Sequence, residues 1–135
     1  MWPKSLSTVA GLMLMLAATH VVRGHHAFSV EFDVELPLTL TGTVTRVEMI
    51  NPHSWIHIEV TGDDGETTVW MIEGGSPNAL YRRGITRDLV PVGSELTVNG
   101  YQARDRSNRA VGRDITFSDG RALFFSDTEL PDEEE

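Results

Sequence analysis

Cysteine is absent from this sequence, and lysine occurs only once, at Lys4. The first absence excludes disulfides, thiolate metal sites, cysteine nucleophiles and the cysteine of a lipoprotein anchor. The second leaves arginine as the strong base of nearly the whole chain. Long hydrophobic runs are also missing. The apolar stretch Leu6–Ala18 falls short of the roughly 20 residues that a membrane span needs. Catalytic templates are missing too: no G-x-S-x-G, no phosphate loop and no H-E-x-x-H. The nearest carboxylate pair, Asp63 and Asp64, sits between Gly62 and Gly65, where turn chemistry accounts for it. Its oxygens are too closely spaced for a calcium loop. No enzyme is expected.

Positive charge is scarce. Eleven basic residues face 20 acidic ones in 135, a formal charge of -9. Lys4 and Arg23 lie in an expected export signal, so its removal leaves 9 basic against 20 acidic residues, or -11. Such a surface repels phosphate backbones, and no nucleic-acid partner is expected. A chain of this length accommodates one domain, and without disulfides that domain must rest on its hydrophobic core.

Residues 1–24 have the layout of a signal peptide: a short positive segment ending at Lys4, the apolar run, then a polar-leaning stretch ending Val22-Arg23-Gly24. Val22 and Gly24 fit the small-residue positions before a cleavage point. Cleavage after Gly24 would make His25 the mature terminus. An uncleaved anchor or a cut after Ala18 are the alternatives. The expectation is a periplasmic or secreted bacterial protein with no membrane insertion once the signal is removed. Its parts would be a signal peptide (1–24), an amino-terminal arm (25–37), a domain (38–126) and an acidic, disordered tail (127–135).

Within the domain, alternation carries the prediction. From Leu38 to Met49, Leu38, Leu40, Gly42 and Val44 alternate with Thr39, Thr41, Thr43 and Thr45, the pattern of a half-buried strand. Gly42 marks a bulge or bend. Asn51–Ser54 reads as a turn. Trp55–Val60 is a second strand, with Ile56, Ile58 and Val60 on one face and Trp55, His57 and Glu59 on the other. Gly62–Gly65 turns into a third strand, Glu66–Ile72. Ser76–Gly84 carries helix punctuation: Ser76 to cap, Pro77 in the first turn, Arg82 and Arg83 at the end, Gly84 as a left-handed stop. Strands follow over Glu95–Ala103 and Ala110–Phe117, with a short one over Ala122–Phe125. Three strands, a helix, then two or three strands is the order of an all-β domain with one short helix: an OB-like, five- to six-stranded Greek-key barrel. A flattened β-sandwich is the rival.

Four histidines remain after the signal: His25, His26, His53 and His57. Imidazole nitrogen suits Cu(II) and Zn(II). A terminal His25 would offer its amine and ring to one metal, and His53 would complete a three-nitrogen site. His26, as second residue, offers a competing chelate through the intervening amide. Copper is the expected ion and zinc the second choice. The bland counterparts are mobile terminal residues at 25 and 26, a turn-capping His53 and an exposed His57. A softer set, Met49, Trp70 and Met71, would suit Cu(I), although Trp70 and Met71 alternate and cannot share one face. Phe28 and Phe32 would dock the arm. Phe28, Trp55 and His57 would line a ligand surface. The partner is then a metal ion or, in a competing reading without metal, an unidentified protein or ligand of the cell envelope.

One resemblance follows from these residues. His25-His26-Ala27-Phe28, Glu31-Phe32-Asp33, Thr41-Gly42-Thr43-Val44 and Asn51-Pro52-His53-Ser54-Trp55 resemble the pattern of a family of exported bacterial proteins, domain of unknown function 6152. Pro77, Leu80, Arg83-Gly84, Gly93, Val98-Asn99-Gly100 and Asp119-Gly120-Arg121 continue it. The resemblance implies export, a single β-domain and bacterial origin. In that family the position of His57 is often aromatic, which argues against a required ligand there.

Overall fold

The structure, a computed structural model, describes residues 31–126. Strand β1 spans Phe32–Ile50, β2 His53–Thr61 and β3 Thr67–Glu73. Helix α1 covers Pro77–Arg82, a single 3₁₀ turn Arg87–Leu89, and β4 (Glu95–Ala103), β5 (Arg109–Phe117) and β6 (Ala122–Phe124) complete the sheet. Its strand order is β3-β2-β1-β4-β5-β6. A parallel pairing of Met71–Glu73 with Arg109–Val111 joins β3 to β5 and closes the sheet into a barrel-like ring. All other pairings are antiparallel. This is the expected all-β fold with the OB-type order.

β1 reaches further than expected. It starts at Phe32 and runs through Pro37, with a register shift between the two on β4. Proline has no N–H for the ladder, yet the backbone stays extended, and Phe32 is 2% exposed. The first half of β1 pairs with β4 and the second with β2, meeting at Thr43. At the crossing, a Cβ on Gly42 would lie 2.5 Å from the Glu59 carbonyl oxygen, so only glycine lets the strands approach so closely. The bulge itself falls between Val44 and Arg46. It turns both Val44 and Val47 inward although they are three residues apart.

The interior holds Val44, Val47, Ile56, Ile58, Ile72, Leu96, Val98 and Ile115, with Leu80 of α1 and Phe125 also buried in it. Ser76 caps the helix, its hydroxyl accepting from the Ala79 N–H at 3.3 Å. Gly84, with φ of +76°, ends it as predicted; the Ile85 N–H reaches back to Leu80 at 2.9 Å. β6 stops at Phe124, one residue earlier than expected. Phe125 turns fully inward while Phe124 stays half exposed. Among the described residues, no helix is long and apolar enough to cross a membrane.

Candidate functional site

The connection between β1 and β2 is two residues, Asn51 and Pro52, joined by a cis peptide. The turn expected over Asn51–Ser54 is therefore shorter, and His53 is already the first residue of β2. Alternation then assigns the faces. Ser54, Ile56 and Ile58 are fully buried on the core side, and His53, Trp55 and His57 share the opposite side. On β3, Met71 stands across from His57 and Glu73 across from Trp55. Backbone bonds fix this end of the sheet: Ser54 donates to Gly75 and Gly74 donates back to Ser54, each at 2.9 Å.

This end of the sheet borders a cleft of about 480 Å³, lined by Glu31, Ile50, Pro52, His53, Trp55 and Met71 together with Glu48, Asn51 and Glu73; His57 is not part of its lining. Each of its three carboxylates has a cationic or imidazole partner. Glu31 pairs with Arg109, whose guanidinium lies 5.5 Å from the centroid of the Trp55 ring. Glu48 accepts from Arg46 at 2.6 Å and stands 2.8 Å from His57 Nε2. Glu73 Oε1 bonds His53 Nδ1.

The two histidine–carboxylate pairs differ in exposure. The His53 side chain is 46% exposed and that of Glu73 only 6%. His57 is 14% exposed and Glu48 19%. His57 is thus no exposed strand residue. Glu48, on the neighbouring strand, pulls its ring in, and the exposed reading is corrected. Glu48 is satisfied on both oxygens, whereas Glu73 Oε2 is buried with no hydrogen-bond partner among the described residues. A buried acceptor left unpaired costs about 1–3 kcal/mol.

His25, His26 and Phe28 lie outside the described residues, so of the expected metal set only His53 is placed, and of the expected ligand surface Trp55 and His57. Among the described residues, no three His, Asp or Glu side chains are grouped to hold a metal ion. The soft set does not assemble: Met49 and Trp70 pack against the core while Met71 lines the cleft. Four residues of the site went unnoticed in the sequence: Glu31, Glu48, Glu73 and Arg109. The signal for Glu48 was available, because a two-residue turn at Asn51-Pro52 sets it opposite Trp55. Glu73 carried no such signal, since a charged residue before Gly74-Gly75 reads as a loop.

The family model of DUF6152, a family of unknown function, matches residues 13–112. No curated protein matches the sequence.

Proposed function

We propose that this chain, which belongs to the DUF6152 family of unknown function, is a periplasmic protein that carries or sequesters copper and catalyses no reaction. His25, as the mature terminus, would give its amine and ring nitrogen to Cu(II). His53 would add a third nitrogen, with His26 as the competing donor and Zn(II) as the alternative ion.

The observation that supports this is the state of His53. Its ring is half exposed at a cleft, and the buried Glu73 occupies Nδ1. Nε2 is the nitrogen left to take a ligand. A carboxylate behind an imidazole is the usual outer-shell arrangement of a metal-binding histidine. Glu31, at the start of the described chain, lines the same cleft.

The intact mass of the exported protein tests the premise, because a terminus other than His25 removes the amine ligand. Cu(II) titration with electron paramagnetic resonance tests the rest. Stoichiometric binding that persists unchanged in a His25→Ala, His53→Ala double variant contradicts the proposal.

A second reading has its own support. Ile50, Pro52, Trp55 and Met71 give the cleft an apolar half, the usual character of a small-molecule or peptide site. On this reading the protein is an interaction module of the cell envelope, with Phe28, Trp55 and His57 at its surface. Copper would then bind no tighter to the wild type than to the double variant.

A further inference from the structure

We infer that Glu73 is a positioning residue for His53. It holds the ring in the Nδ1–H tautomer, so that Nε2 alone is presented to an incoming metal. This rests on the metal-binding reading above and assigns a residue that acts through His53 without touching the metal.

The burial of Glu73 is the starting point. A carboxylate that is 94% removed from solvent, with a side-chain exposure of 6%, needs compensation. Glu48, by contrast, is satisfied on both oxygens by Arg46 and His57. Glu73 is not. Its one hydrogen bond among the described side chains goes to His53 Nδ1, and Oε2 is left without a partner. The backbone explains how the position is kept. Glu73 ends β3, paired with Trp55 on one side and Val111 on the other. The Gly74 N–H bond to Ser54 then locks the next residue beside His53.

The comparison with His57 sharpens the assignment. His57 meets its glutamate through Nε2, the opposite nitrogen, and only 14% of it reaches solvent. His53 meets Glu73 through Nδ1 and keeps 46% exposed. Nδ1 faces Glu73 Oε1, and a ring N–H donating to that oxygen puts the proton on Nδ1. The other nitrogen then has its lone pair free. The two pairs therefore differ in purpose: one buries a ring, the other aims one.

The test uses the mature exported protein with ¹⁵N-labelled histidine. Long-range ¹H–¹⁵N spectra without metal assign the His53 tautomer, and Cu(II) titrations follow on wild type, Glu73→Gln, Glu73→Leu and His53→Ala. The expected result is an Nδ1–H tautomer in the wild type that is lost in Glu73→Leu. Copper affinity should fall about 10- to 100-fold in Glu73→Leu and less in Glu73→Gln, whose amide oxygen still accepts. An Nε2–H tautomer in the wild type overturns the inference without recourse to any variant. An unchanged copper affinity in a folded Glu73→Leu, with His53→Ala impaired, also overturns it and leaves the copper reading intact. Copper binding indifferent to His53→Ala removes the reading on which it rests.

Discussion

The Arg109 guanidinium lies 5.5 Å from the centroid of the Trp55 ring and at the same time pairs with Glu31. Arg109 thereby ties the first residues of the described chain to the aromatic wall of the cleft, across the β3–β5 closure. Both charged partners are about one-third exposed, so the ion pair adds little, about 0–1 kcal/mol. The cation–π contact adds about 0.5–1 kcal/mol. Arg109→Ala should lower stability by about 1 kcal/mol in urea denaturation and shift tryptophan emission to the red as Trp55 gains water. An unchanged emission spectrum would remove the stacking.

Gly74 is a packing position. A Cβ placed there would lie 2.4 Å from the ring of the fully buried Phe125. The ring has no exit, because the Gly75 N–H bond to the Phe125 carbonyl at 2.9 Å holds its backbone. Gly74→Ala should cost about 1–3 kcal/mol by overpacking, seen as a lower melting temperature. A melt equal to wild type would mean that Phe125 does not fill this end of the barrel-like ring.

His57 should be dispensable for copper. Its Nε2 is engaged by Glu48 and its ring is largely covered. In His57→Phe, copper stoichiometry and affinity should match wild type in calorimetric titration. A loss of stoichiometry would move the metal site from the end of β2 to its middle.

At the β5–β6 turn, the carboxyl of Asp119 is held below its ordinary value of 3.8, first by the Arg121 N–H and then by the Arg121 side chain. The bonds are 3.0 and 2.8 Å. A depressed folded value means that the carboxylate form favours the folded state above pH 3.8, and that this contribution is lost as pH falls through the lower folded value. Asp119→Asn should therefore be less stable than wild type at neutral pH, with the gap closing in strong acid. Parallel melts across pH check the direction; a gap that widened in acid would contradict it.

Much of the fold was legible because alternation is a direct consequence of burying one face. The Thr39–Thr45 and Trp55–Glu59 patterns marked outer faces, and Ser76, Pro77 and Gly84 bracketed the helix. What escaped depends on register and on distant neighbours. The amino-terminal arm was expected to end at Pro37, but β4 pairs on either side of it and carries β1 through. His57 looked exposed because its partner Glu48 is nine residues away and becomes a neighbour only once the two-residue turn sets the register. Glu73 was invisible because no local pattern distinguishes a buried glutamate from one in a glycine-rich loop. Its pairing with His53 appears only when β2 brings that residue beside it. The Gly42 expectation was half met: the glycine marks a close crossing, and the bulge lies beyond it at Val44–Arg46.

On the proposed function, His53 ligates metal through Nε2. Calorimetric titration of Cu(II) into the mature protein, with His53→Ala measured alongside wild type, decides this. One copper per wild-type chain is expected, with a loss in His53→Ala larger than the roughly 10- to 100-fold that removing an outer-shell partner brings. Equal affinity in the two proteins would rule out His53 as a ligand.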